Sequence, residues 1–210
     1  MKTPVIWKKM VIDGRRVVTS AEIREMAQTL DKDQWRSLDY LQKQGYIDRI
    51  LKGIFYVRSP EERERGFTQF SVYDMVAKAL KTKGVKQWYF GLETALKFNN
   101  MTHEYFAVNY VITGSYRTTK VIGILDTKFQ FYKWKESHFK FGLVRKGGLR
   151  YSDPEKTVLD LAYRRHRKTK DSRYVAEPIV EYAEMLDRDK LEKYLGRYSL
   201  RFRNALRIQL

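Results

Sequence analysis

TSAEIREMAQTLDKDQWRSLDYLQKQGYIDRILKGIFYV, residues 19–57, is the stretch on which the fold turns. Thr19 followed three residues later by Glu22 is a capping box, in which each side chain satisfies the other residue's backbone N–H. Ile23, Met26, Ala27 and Leu30 then recur at helical spacing. Asp31 and Asp33 break that pattern and supply a second N-cap. From Gln34 the next helix is expected to bury Trp35, Leu38 and Leu41, with Gln34, Arg36, Ser37, Tyr40 and Lys43 on its other face. Gly45 stands where a left-handed residue ends a helix. Two short strands follow, over 47–51 and 54–58, with Lys52-Gly53 as the turn between them. Helix, helix and hairpin in this order predict a winged helix-turn-helix, a module that lays its second helix in the major groove of DNA. Ile6 to Met10 is the one candidate for the helix that should precede it.

Working outward, residues 58–66 (RSPEERERG) are polar and bracketed by Pro60 and Gly66. They read as a connection between two domains, 1–60 and 67–210; Ser59-Pro60-Glu61-Glu62 is equally a good helix start. Beyond them, helical spacing covers 70–83 and, more briefly, 91–98. Alternation and β-branched or aromatic enrichment over 106–113, 120–125, 128–134 and 139–145 predict a mainly antiparallel sheet. Asp153-Pro154-Glu155 opens a further helix with a cap, an N1 proline and an acidic first turn. Helices are then expected over 174–186, 190–194 and 200–210. The predicted class is α+β: an N-terminal winged helix-turn-helix domain and a C-terminal mixed domain of antiparallel strands and helices.

A net charge of +17 and a pI near 9.9 point to a polyanionic partner, usually nucleic acid. A heavily charged, solvated surface of thermophile type accounts for the number of charges but not for their bias. There is no cysteine, hence no disulfide and no thiolate metal site, and His103, His138 and His166 lie far apart with no zinc-motif spacing. No apolar run approaches the roughly 20 residues of a membrane span, and the first 16 residues have no signal-peptide core. The expected compartment is the cytoplasm, with no membrane partner, no metal and no cofactor.

The charge is unevenly divided. Residues 1–70 hold 14 Lys+Arg against 10 Asp+Glu, a net of +4, and residues 71–210 hold 28 against 15, a net of +13. The basic clusters fall at 140–150, at 164–173 (RRHRKTKDSR) and at 197–207 (RYSLRFRNALR). Arg164, Arg165, Arg167, Lys168, Arg201 and Arg203 are therefore candidate phosphate contacts. Two alternatives stand beside that reading: cations at a helix C-terminus offset its dipole, and a tail in which arginines interleave with Tyr198, Leu200, Phe202 and Leu206 could pack or dock on a protein.

Three segments in sequence, GYIDRILKGIFYV (45–57), WYFGLETAL (88–96) and SDPEKTVLDL (152–161), resemble the AbiEi-like antitoxins of type IV toxin–antitoxin, or abortive infection, systems. The resemblance implies a winged-helix domain that binds operator DNA and represses its own operon. It also implies a C-terminal α+β domain with antitoxin activity against a nucleotidyltransferase-like toxin. By position, the helix beginning at Gln34 would be the recognition helix. Gln34 suits adenine and Arg36 guanine; Ser37, Tyr40 and Lys43 suit phosphates; Arg49 and Lys52 lie in the wing. The alternatives are a solitary winged-helix regulator with a structural or sensing second domain and, more remotely, a nucleic-acid-modifying enzyme. For the latter, Asp126-Thr127-Lys128 is an acidic-x-Lys element with Asp74 or Glu93 as the only nearby second carboxylates. No P-loop and no GxGxxG is present, and Gly147-Gly148 reads as a turn between strands. The chain is not expected to be an enzyme.

Overall fold

The computed structural model describes residues 4–169 and 171–207. Contacts divide the chain into two units, Met1–Lys86 with Gly123–Thr127, and Gln87–Ile122 with Lys128–Leu210. The stretch 58–66 lies inside the first unit, where a helix opens at Pro60 and runs to Arg65.

The first unit runs α1 (Val5–Ile12), β1 (Val17–Thr19), α2 (Ser20–Thr29), α3 (Gln34–Lys43), β2 (Ile47–Leu51), β3 (Ile54–Val57), α4 (Pro60–Arg65) and α5 (Val72–Thr82). The capping box of α2 forms as its sequence predicts, with the Glu22 amide donating to Thr19 Oγ1 and the Thr19 amide to Glu22 Oε2. Between α2 and α3 Asp31 takes φ +51°, a left-handed conformation that a short polar side chain tolerates. The Asp33 carboxylate then accepts from the amides of Trp35 and Arg36 at the start of α3. Gly45 ends α3 at φ +67°, and the Tyr46 amide closes the turn on the Leu41 carbonyl.

The three strands form an antiparallel sheet in the order β1-β3-β2. At only three residues, β1 is too short to leave an alternation signal. Helix α1 buries Ile6, Trp7 and Met10 in a core with Val18, Ile23, Leu41 and Phe55, and the Trp7 indole N–H donates to the Arg58 carbonyl at 2.8 Å. Helix α5 packs on all three strands and buries Met75, Val76, Ala79 and Leu80.

The rest of the chain runs β4 (Trp88–Phe90), α6 (Glu93–Phe98), β5 (Val108–Thr113), β6 (Ile122–Ile124), β7 (Thr127–Lys133), β8 (Leu143–Lys146) and β9 (Leu149–Ser152), with a 3₁₀ turn at Glu136–Phe139; all of it belongs to the second unit except Gly123 and Ile124 of β6, the turn after them, and Thr127. Helices α7 (Pro154–His166), α8 (Ser172–Glu181), α9 (Arg188–Leu195) and α10 (Leu200–Arg207) follow. The expected helical end over 208–210 and Lys170 of the basic run lie outside the described residues.

The strand order is β6-β7-β5-β4-β9-β8. Pairs β4–β5 and β8–β9 are antiparallel, while β4–β9 and β5–β7 are parallel. The sheet is thus mixed, which corrects the expectation of a mainly antiparallel one. The causes are β7, which runs parallel to β5 over six residue pairs, and β4, a central three-residue strand whose parallel partner comes from a segment far along the chain; periodicity reports local alternation and says nothing of such pairings. Gly147 and Gly148, at φ +57° and +82°, make the two-residue turn of the β8–β9 hairpin.

Helix α7 is the axis of this unit. Every residue from Glu155 to Ala162 is buried, and α6, α8, α9 and α10 all pack on it. Its charged residues are paired inside. Lys156 and Asp160 are both fully buried and form an ion pair at 3.1 Å. Asp160 also accepts from the hydroxyls of Tyr89 at 2.8 Å and Tyr198 at 2.5 Å. Asp153 caps the helix by accepting from the Lys156 amide, and accepts from the Tyr194 hydroxyl at 3.0 Å. Lys190 reaches Asp153 at 3.1 Å and Glu155 at 2.7 Å. Gly142, at φ +60°, faces the Lys156 stem so closely that a Cβ there would lie 2.7 Å from Lys156 Cβ.

Candidate nucleic-acid interface

On α3 the side chains separate into two faces. Leu41 is buried, and Gln34, Ser37 and Leu38 are half-buried. At about 100° per residue these four fall within one narrow stripe, the helix's inner face. Trp35 falls outside it. The expectation that Trp35 is core is corrected: it is 68% exposed, and the Arg24 guanidinium of α2 stacks on its ring at 4.8 Å. The error is one of phase. A face drawn through positions 35, 38 and 41 is turned by about 50° from the one that is buried, which runs through 34, 37, 38 and 41.

The outward face of α3 carries Trp35, Arg36, Asp39, Tyr40 and Lys43. Arg36 is exposed at the first turn and has no ion pair among the described residues. Tyr40 is 38% exposed and stacks on Tyr46 with ring centroids 6.3 Å apart. Lys43 pairs with Asp39 at 2.8 Å, both well exposed; a surface pair of this kind contributes little and yields readily to a competing anion. Gln34 and Ser37 are closer to the protein interior than their neighbours, so their reach outward is shorter.

Arg49 and Lys52 stand exposed on the β2–β3 hairpin. A register shift between Arg49 and Leu51 bulges β2 there. Gly53 turns at φ +76°, and its carbonyl accepts from the Ser20 amide at 2.9 Å, which ties the hairpin tip to the start of α2. Below the hairpin Arg58 and Asp48 form an ion pair at 2.6 Å. The hairpin is therefore held at both its tip and its base.

Of the six basic residues singled out in the second unit, two are held in ion pairs. Arg164 is half-buried against Glu93 and over the Tyr110 ring, and Arg165 pairs with Glu177 and lies over Tyr174. Neither presents a free guanidinium to a phosphate. Arg203 is half-buried, and its Nε has no hydrogen-bond partner among the described residues. Arg167, Lys168 and Arg201 are exposed and share one hollow of 450 Å³ with Tyr163 and His166. The run 164–168 is thus divided between helix-end pairing and free cations.

Asp74, proposed as a second carboxylate for an acidic-x-Lys site, is bonded to Ser71 at the start of α5, and Glu93 is bound to Arg164. Among the described residues no three His, Asp or Glu side chains gather as metal ligands. None of the described helices is long and apolar enough to cross a membrane.

Fold and surface define an α+β protein of two units, with a three-stranded antiparallel sheet and a six-stranded mixed sheet. The sequence matches no known family model and no curated protein. Among solved structures it is similar to the RV2827C protein from Mycobacterium tuberculosis, with a TM-score of 0.57, 12% identity, and coverage of 98% of this chain and 78% of that one. At that identity the likeness is one of fold.

Proposed function

We propose that the chain is a cytoplasmic DNA-binding transcriptional repressor whose first unit is a winged helix-turn-helix. In this reading α3 is the recognition helix and the β2–β3 hairpin is the wing. The observation that carries it is the outward face of α3. There, an unpaired Arg36 stands at the helix start beside Trp35, with Tyr40 and Lys43 one and two turns on. A helix whose only role was to close a core would have no reason to leave a tryptophan and an arginine in solvent together. The order α1-β1-α2-α3-β2-β3, with the sheet order β1-β3-β2, supports the same reading.

Arg36→Ala is expected to weaken binding to a selected duplex roughly tenfold to a hundredfold, the ~1–3 kcal/mol of one bidentate base contact. It should also relax base preference at one position. Titrations of the wild type and variant against the selected duplex and its single-base changes test this. Unaltered affinity and preference would remove α3 from the interface.

We further propose that this repressor is the antitoxin of a type IV pair, autoregulating its operon and countering a nucleotidyltransferase-like toxin. The three segments 45–57, 88–96 and 152–161 support that half of the proposal. Co-expression with a nucleotidyltransferase-like toxin encoded by the neighbouring gene is expected to restore growth. Undiminished growth arrest with the repressor fully expressed would leave a solitary regulator.

A further inference from the structure

One side of the second unit carries three adjoining hollows. One, of 480 Å³, is lined by Arg117, Lys133, Lys135 and Arg167 together with Trp134, His138 and Tyr163. It shares Arg117, Lys133, Trp134 and Arg167 with a hollow of 360 Å³ that continues along Thr118, Gln130 and Tyr132. In the other direction it shares Tyr163 and Arg167 with the 450 Å³ hollow that holds Lys168 and Arg201. Arg167 lines all three, so they form one continuous cleft.

The charge of this cleft is predominantly positive. Arg117, Lys133, Lys135, Arg167, Lys168 and Arg201 line it, and none is ion-paired among the described residues. The one carboxylate at its edge, Glu136, is paired with Lys140 at 3.4 Å. The six cations come from four separate places: the loop after β5, the end of β7, the end of α7, and α10. Bringing like charges together from distant segments opposes folding, and no internal partner here compensates it. A cleft lined mainly by one sign focuses the field and attracts the opposite ion.

The floor is also unusual. His138 is 5% exposed, and its Nδ1 is buried without a hydrogen-bond partner among the described residues. Burial, helped by Lys156, Arg167 and Lys135 and opposed by Asp160, lowers the imidazole pKa to about 4, so the ring is neutral at ordinary pH. It lies against Trp134 at 5.0 Å and Tyr163 at 5.0 Å between ring centroids. The site therefore combines a floor of packed aromatic rings with a cationic rim.

The shape selects among anions. A duplex is a stiff rod with its phosphates outermost, and it meets cations that stand on an open face. Cations gathered in a concavity over buried rings are reached by a phosphate chain that can bend into it, with a base laid against the floor. We propose that this cleft binds single-stranded nucleotide phosphates, a site separate from the α3 face and independent of its reading. A free nucleoside triphosphate offers the same chemistry as a strand, and the test separates the two sources.

The full chain would be titrated with labelled oligo-dT and oligo-rU of about 12 nucleotides, within the span of a single-strand groove, and with a mixed-sequence duplex of equal length. ATP would serve as competitor. The double variant Arg117→Gln, Arg167→Gln changes two exposed side chains and should leave the melting temperature unaltered. It is expected to weaken single-strand binding about tenfold or more. It should also reduce the slope of log K against log salt by about 1.4, two phosphates at ~0.7 each. Duplex binding should change by less than about threefold, and Arg36→Ala should show the converse pattern. Competition by ATP that the variant abolishes would identify free nucleotide as a ligand of the cleft; binding of oligonucleotides alone would identify the strand. The proposal is overturned if neither binds the wild type, if the slope and affinity for single strands are unaltered, or if duplex affinity falls as far as single-strand affinity.

Discussion

Asp160→Ala is expected to destabilise the second unit by about 3–5 kcal/mol, the usual result of removing one partner from a buried ion pair. The carboxylate has no exposure and three donors: Lys156 Nζ at 3.1 Å, Tyr198 at 2.5 Å and Tyr89 at 2.8 Å. Its loss leaves an ammonium and two hydroxyls buried together with nothing to accept from them. The Lys156 ammonium would keep the faces of Phe141, Tyr89 and Tyr198, at 4.4, 4.8 and 5.9 Å.

The pH dependence gives this prediction its sign. Burial pushes the Lys156 pKa below the ordinary lysine range, and the attraction of Asp160 opposes that shift. Without Asp160 the folded-state value falls further, while the unfolded value stays near 10.4. Between the two values the unfolded chain binds more protons than the folded one, so stability rises with pH. The variant should thus recover part of its loss in urea titrations as pH rises toward the unfolded lysine value, a gain the wild type does not share to the same extent. Lys156→Met combined with Asp160→Leu should restore the part of the loss that comes from the stranded ammonium, since apolar residues of similar volume replace buried pairs at little cost, while the Tyr89 and Tyr198 hydroxyls stay without their acceptor. A loss for Asp160→Ala under about 1 kcal/mol would mean that the carboxylate is not the acceptor for these groups.

This network changes the meaning of the segment SDPEKTVLDL (152–161). Its helix start was legible, because Asp153, Pro154 and Glu155 form a local signal and the cap is where that signal places it. Its interior was not. Lys and Asp four residues apart read as a solvated pair on an outer face, and only Tyr89 and Tyr198, from distant parts of the chain, show that the pair points inward. A charged segment that looks like chemistry on paper is consumed in holding α7 to its neighbours.

The same division runs through the first unit. The capping box of α2, the cap of α3, the glycine that ends it and the hairpin all rest on contacts within a few residues, and all are legible. Strand β1, α4 and α5 are joined to the unit by contacts that no short-range pattern contains. At the candidate interface Arg36, Tyr40, Lys43, Arg49 and Lys52 are exposed as their spacing suggests. The exposed Trp35 was missed because tryptophan is usually assigned to the core by type, where the helical phase assigns it to solvent. The cleft of the second unit was legible only at Arg167, Lys168 and Arg201. Arg117, Lys133 and Lys135 are scattered in sequence, and only the fold gathers them.

Glu62→Ala is expected to cost the first unit roughly 3–5 kcal/mol, because it takes the acceptor from one hydroxyl and two amides, at about 1–3 kcal/mol for each donor left buried and unpaired. Glu62 has no exposure. It accepts from the Tyr56 hydroxyl at 2.5 Å and from the amides of Ser59 and Gln69 at 2.6 Å, and it pairs with Arg16 at 2.9 Å. One carboxylate thus fastens β3, the start of α4 and the loop beyond it to the residue preceding β1. Burial alone would raise its pKa. The Tyr56 hydroxyl, the two amides and the Arg16 guanidinium outweigh burial and bring it below the ordinary glutamate range. The folded-state pKa is depressed, so the stabilisation is complete above the unfolded value of about 4.3 and is lost as pH falls through the folded value. Glu62→Gln keeps the shape and one acceptor but not the charge, and should cost less than Glu62→Ala. It should also flatten the acid limb of the stability curve between about pH 5 and pH 2. If the acid limb of Glu62→Gln matches that of the wild type, another carboxylate carries it. Duplex binding by Glu62→Gln near pH 7 should fall only in proportion to the unfolded fraction, because the side chain lies inside the unit rather than on the α3 face; a loss in excess of that fraction, measured on folded protein, would place Glu62 in the binding event itself.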